Sequence, residues 1–176
     1  MAHAGKFNLF LEEVFIQSKA PWDGQPLRLL DWQWEKLIRP LYGTLKPDGD
    51  RLYNRCYLFC GKKQGKSTLL SGLSLYHVCE QAGAEVLILA GTVEQAGIIF
   101  KEACNMVEAS PLLRKRLRPR PNINCIEYPA RNSVIKILSS TPHNAAGHNP
   151  TTVFYDELCS WGSTAREIWD HLQASK

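Results

Sequence analysis

The residues richest in chemistry are Gly61-Lys62-Lys63-Gln64-Gly65-Lys66-Ser67-Thr68, set between an apolar run ending at Cys60 and a helix-forming stretch. Glycines bare the backbone amides, a lysine supplies charge and a hydroxyl follows it, which is the composition of a loop that wraps phosphates at a helix N-terminus. On that reading Gly61, Lys62, Lys63, Gln64 and Gly65 cradle phosphate, Lys66 neutralises the β and γ oxygens, and Ser67 holds Mg²⁺ with Thr68 beside it. The usual pattern leaves four residues between its glycines; here three separate Gly61 from Gly65, and Cys60 takes the regular first position. A lysine-rich surface turn is the alternative, and the strand, loop and helix context argues against it. A second cluster, Asp156-Glu157, ends the run Thr151-Thr152-Val153-Phe154-Tyr155. An aspartate at a strand end can join a Mg²⁺ shell, and a glutamate one residue on can orient and deprotonate a water. Alone, such a pair would be a solvated turn. Behind a phosphate loop, Asp156 becomes the metal residue and Glu157 the catalytic one.

These groups need strands and helices to hold them. Residues 55–60, Arg-Cys-Tyr-Leu-Phe-Cys, read as the first buried strand, residues 66–80 as a helix and residues 85–90 as a second strand. Thr92 then caps a helix, with Gln95 at capping-box spacing and Ala96, Ile99, Phe100 and Ala103 set to pack on the sheet; it ends near Pro111. Strands around residues 123–128 and 133–138 flank Pro129-Ala130-Arg131-Asn132 and pair as a hairpin. A strand over residues 151–155 and a helix from near Ser163 complete the chain. Upstream, residues 7–16 form an amphipathic turn or two and residues 18–26 a loop. Asp31 stands as N-cap of a short helix that Pro40 and Gly43 end, and residues 44–50 make a turn. Residues 1–24 are expected to be an arm and residues 25–176 one domain. Alternating strands and helices predict an α/β fold with a mostly parallel central sheet flanked by helices, its ligands lying beyond the carboxyl ends of the strands.

Four features in order resemble the N-terminal ATPase domain of the large terminase subunit of tailed bacteriophages. They are Pro26-Leu27-Arg28-Leu29-Leu30-Asp31-Trp32-Gln33, the short loop ending Gly65-Lys66-Ser67, the segment Leu89-Ala90-Gly91-Thr92-Val93-Glu94-Gln95-Ala96, and Gly147 ahead of Val153-Phe154-Tyr155-Asp156-Glu157-Leu158 with Trp161. The resemblance spans most of the chain and implies a P-loop NTPase of the catalytic-glutamate class, using ATP and Mg²⁺, with Lys66 and Glu157 catalytic. It also implies that Gln33 reads the adenine edge, since an amide offers donor and acceptor together; an exposed helix polar residue is the plainer alternative. The family often carries an arginine where this chain has Lys62, so the charge is kept and the bidentate fork is lost. Arg114, Arg116 and Arg131 are then candidates for an arginine finger supplied within or between subunits. Further implied are double-stranded DNA, a portal and a small terminase subunit as partners, a homo-oligomeric ring, and the host cytoplasm. A full large terminase continues into a coupling strand and a nuclease domain; neither lies within these 176 residues, so no nuclease activity is expected of the chain.

Composition fits a soluble globular domain: 44% hydrophobic and 22% charged residues, net charge +4, and no run of about 20 apolar residues. That charge permits a polyanionic partner without requiring one. The basic residues 114–120 could contact DNA phosphates, or could be a solvated helix end whose cations suit the dipole. Six cysteines, Cys56, Cys60, Cys79, Cys104, Cys125 and Cys159, are scattered through apolar stretches and are expected as reduced, buried thiols rather than disulfides or a zinc site. His143 and His148 are read as parts of a polar loop near the nucleotide rather than as metal ligands. Other classes compatible with the residues are a helicase-like P-loop ATPase, a small-molecule kinase and a non-catalytic DNA-binding or assembly fragment.

Overall fold

The run Glu85-Val86-Leu87-Ile88-Leu89-Ala90 has no polar face, so it can only be stable with both faces covered. In the computed structural model it does become a strand, β1 (Glu85–Ala90), and its last five residues are fully buried. The structure describes residues 10–11, 14–17, 21–139, 147–158, 161 and 164–174. Two compact units divide it, Met1–Lys66 and Ser67–Lys176.

The second unit is built on α3 (Lys66–Glu80), β1, α4 (Val93–Ala109), α5 (Pro111–Arg116), β2 (Arg118–Arg120), β3 (Cys125–Tyr128), β4 (Ser133–Ser139), β5 (Thr152–Tyr155) and α6 (Thr164–Ala174). The sheet runs β2-β3-β4-β1-β5. Its heart is parallel, with Val86 beside Ile135 on one side and Thr152 on the other, while β2, β3 and β4 pair antiparallel at one edge. Because side chains alternate along a strand, β5 sorts its neighbours. Phe154 meets the His77 ring of α3 on one face, while Val153 and Tyr155 join Leu87, Leu89, Trp161 and the α6 residues Ile168 and Leu172 on the other. The sheet is thus flanked by helices, as the alternating pattern predicts. Small residues let the helices approach: the Ser71 hydroxyl of α3 bonds both the Ser67 and Ile99 carbonyls, each at 2.8 Å. Ala96, Ile99, Phe100 and Ala103 of α4 are all buried, as expected.

The hairpin of β3 and β4 also forms as expected, through a 3₁₀ turn at Pro129–Arg131 closed by Asn132 at φ 51°. A like turn at Pro121–Ile123, closed by Asn124 at φ 51°, delays β3 to Cys125. The helix after Thr92 stops at Ala109, and Ser110 caps a separate short helix with Pro111 at its start, a position where proline's missing N–H costs nothing.

The first unit holds α1 (Asp31–Gln33), a π-helical turn (Trp34–Ile38) and α2 (Arg39–Gly43), around buried Leu37, Ile38 and Tyr42. Leu11 and Phe15 are buried too, and Ile16 bridges Pro26. The turn over residues 44–50 is closed by a Leu45–Arg51 bridge. Two expectations are corrected here. Asp31 opens its helix rather than capping it; Leu30 is the N-cap, and its N–H is satisfied by the Gln33 side chain. Residues 55–60 join no strand of the sheet, and Phe59 is 93% exposed and Tyr57 63% exposed. An apolar run supplies side chains for a strand but not the neighbouring backbone that pairs with it. The five described cysteines are free thiols, as expected, but only Cys125 is buried: Cys56 is exposed and Cys60, Cys79 and Cys104 are half-buried. Burial pushes the Cys79 thiol up to about 12 and the Cys104 thiol up to about 11. Cys159, His143, Ser163 and the loop residues 18–20 lie outside the described residues. No helix among the described residues is long and apolar enough to cross a membrane.

Candidate functional site

In the first unit the loop residues 61–65 are exposed, and two of them adopt left-handed backbone: Lys63 at φ 63° and Gly65 at φ 74°. Left-handed residues interleaved in a turn make successive N–H groups converge, the concave arrangement that receives an anion. Glycine accommodates that conformation at 65, while Lys63 holds it at a cost of about 1–3 kcal/mol. Gln33 is brought to this loop. It is buried, with 5% exposure, so the exposed-residue alternative is wrong. Its Oε1 accepts from Leu30 N–H at 3.0 Å and its Nε2 donates to the Gln64 carbonyl at 3.1 Å. Lys66 ends this unit, half-buried, as the first residue of α3.

In the second unit Ser67 and Thr68 occupy the first turn of α3, half-buried. Asp156 follows β5 at its carboxyl end and is 8% exposed. Its N–H donates to the Leu89 carbonyl at 2.8 Å, continuing the β1–β5 pairing, and its carbonyl accepts from the Trp161 indole at 3.0 Å. The next residue turns sharply: Glu157 is exposed, with φ 50°. Its Oε2 accepts from Gln95 Nε2 at 3.3 Å. Gln95 also completes the capping box of α4, where its N–H donates to Thr92 Oγ1 and its Oε1 accepts from Thr92 N–H, both at 3.2 Å. One side chain thereby serves the start of α4 and the carboxylate after β5. The Thr-x-x-Gln spacing is readable in sequence, but nothing in it signals Glu157 as a partner 62 positions away.

Three other groups fall elsewhere. His148 bonds Glu85 Oε1 at 2.7 Å, beside Lys136 Nζ at 2.9 Å and Asn149 N–H at 3.1 Å. Burial raises the Glu85 pKa, and the hydrogen bonds from Lys136 and His148 outweigh it, so the net shift is down. Glu85 opens β1, so His148 sits at the amino end of the sheet, opposite Asp156, and not in a polar loop beside a nucleotide. The reason is topological, since a loop that precedes a parallel strand delivers its residues to that strand's amino end. Arg131 donates to the Glu80 carbonyl at 2.9 Å, at the far end of the 15-residue α3 and about 20 Å from Ser67 by helical rise, so it is no finger for its own Ser67 end. Among the basic residues, all exposed, Arg114, Lys115 and Arg116 form the last turn of α5, Arg118 donates to the Arg114 and Leu117 carbonyls at 2.9 and 3.0 Å, and Arg120 pairs with Glu127. The solvated helix-end reading therefore fits Arg114, Lys115 and Arg116, and Arg118, just beyond the helix, bonds two carbonyls at its end.

The donors fit the groups expected of them. A strand-end carboxylate and a hydroxyl are hard oxygen ligands of the kind Mg²⁺ takes, and the loop's left-handed residues suit a polyphosphate.

Comparisons with known proteins point to one family. The family model described as "Terminase large subunit, ATPase domain" matches residues 33–175. A large terminase subunit of Enterobacteria phage HK97 is 29% identical over 151 residues, 84% of this chain and 29% of that protein. The crystal structure of the HK97 large terminase aligns with a TM-score of 0.80 at 25% identity, covering 97% of this chain and 35% of that one. The large terminase ATPase domain of Thermus phage P74-26 shares the fold, with a TM-score of 0.53 at 20% identity over 65% of this chain and 51% of that one. The chain spans about a third of the length of the HK97 protein it matches. With four-fifths of its residues matched by the family model, the chain belongs to the terminase large subunit ATPase domain family.

Proposed function

We propose that this chain hydrolyses ATP as the motor part of a phage DNA-packaging terminase. The observation that carries the reading is Glu157, an exposed carboxylate turned off the end of β5 in left-handed backbone and held by Gln95, directly after the buried Asp156. Residues 61–65 and Lys66 would bind the phosphates, with Lys62 and Lys63 adding charge and Thr68 following Ser67 in the first helical turn. Ser67 and Asp156 would hold Mg²⁺, which when bound draws charge off the phosphate oxygens. Glu157 would take a proton from the attacking water as the β–γ phosphoanhydride bond breaks to ADP and phosphate, while the loop amides and Lys66 stabilise the charge that develops. Little covalent chemistry is asked of the protein; positioning and electrostatics supply the rate. Membership of the family supports double-stranded DNA as the cargo, a portal and a small subunit as partners, assembly into a ring and action in the host cytoplasm as parts of the same proposal.

Phosphate release from Mg-ATP tests the reading. Glu157→Gln is expected to retain ATP binding while losing about 10²–10⁴-fold in turnover, and Lys66→Ala to lose both. Turnover unchanged in Glu157→Gln would remove this residue from the reaction.

A further inference from the structure

The Gln33 amide is committed at both ends before any nucleotide arrives. Its oxygen satisfies the Leu30 N–H, one of the donors that a helix start leaves open, and its nitrogen holds the Gln64 carbonyl. Among the described residues, this is the one side-chain hydrogen bond that reaches residues 61–65. The loop lies close against it, since a Cβ at Gly65 would stand 3.4 Å from Gln33 Nε2. The π-helical turn begins at the very next residue, Trp34, and such turns, rare elsewhere, recur at functional sites. An amide has two N–H groups and two lone pairs, so one donor and one acceptor remain after both bonds are made. A partner on those remaining sites would therefore meet an amide whose orientation also sets the position of Gln64.

We propose that Gln33 is a positioning residue for the phosphate loop, acting on polyphosphate binding itself through the Gln64 carbonyl, independently of any base. This rests on the nucleotide-binding reading above and goes beyond base recognition: one buried amide ties the start of α1 to the loop, so the loop's anion-binding shape depends on residue 33.

A probe without a base separates the two roles. Inorganic tripolyphosphate and ATP, each with Mg²⁺, are titrated into the full chain, into Gln33→Met and into the milder Gln33→Asn, whose amide is one methylene too short to span both partners. The expected result is that both variants weaken tripolyphosphate and ATP by a similar factor, about 3–10-fold, the worth of one hydrogen bond. Hydrogen exchange should quicken in residues 61–65 while Glu85–Ala90 stays protected, which marks a local effect rather than lost folding. Tripolyphosphate binding equal to the parent's in Gln33→Asn, with ATP alone weakened, would overturn the proposal and leave a base reader. A parent chain that binds neither probe would overturn the nucleotide reading and this proposal with it.

Discussion

Residues 85–90 and residues 55–60 are both short, apolar and rich in strand-forming side chains, yet they meet opposite fates. Residues 86–90 are fully buried in the sheet, between β4 and β5. Phe59 is 93% exposed and its segment joins no strand. The difference lies in the partners. β1 receives one neighbour from residues 133–139 and another from 152–155, so its backbone groups are paired along both sides and its side chains are covered on both faces. Residues 55–60 form no strand of the sheet. Hydrophobicity nominates a strand; a second and a third piece of chain make it one.

That contrast can be broken or sharpened experimentally. The largest effect is expected inside β1: Leu87→Ala should destabilise the protein by about 2–5 kcal/mol in a urea melt, whereas Phe59→Ala should fall within about 0.5 kcal/mol of the parent. Equal costs would mean that residues 55–60 pack as β1 does. Next comes the charge that opens β1. Glu85→Gln should cost about 1–2 kcal/mol at neutral pH, because three donors lose a carboxylate. Since the folded pKa of Glu85 is lowered from 4.5, the carboxylate's stabilisation is fully present above that value and fades as pH falls through the lower folded one. The parent and variant melting curves should therefore converge in acid; a gap that persists there would assign the effect to packing. At the other end of β1, Thr92→Ala removes the cap of α4 and should cost about 1 kcal/mol, with Thr92→Ser recovering most of it. Smallest in energy is thiol reactivity. Near pH 8, iodoacetamide should modify exposed Cys56 first, while Cys79, half-buried and pushed up to about 12, resists; the reverse order would put residues 55–60 in a core.

Local features were legible in the sequence because their causes are local. The bounds of α3 and β1 and the turn of the β3–β4 hairpin follow from apolar period, prolines and turn asparagines, and the Thr92–Gln95 box follows from spacing. Asp156 and Glu157 were placed at a strand end by the apolar run ahead of them. Contacts between distant side chains were not legible. Gln33 to Gln64, Gln95 to Glu157 and His148 to Glu85 each join residues 31 or more positions apart, and no spacing rule links them. His148 shows the error that results: proximity in sequence to Asp156 suggested proximity to the site, but the intervening strand carries the two to opposite ends of the sheet. Gln33 is named through the family resemblance, and its burial against a loop that arrives much later in the chain is not legible from its own surroundings in the sequence.

The most direct test of the central claim is calorimetric titration of Mg-ATP into the chain and into Lys66→Ala. A phosphate-binding loop predicts a saturable heat for the parent that disappears in the variant, with both proteins melting alike. Equal binding by the two proteins, or none by the parent, would contradict the assignment of residues 61–68 to a nucleotide.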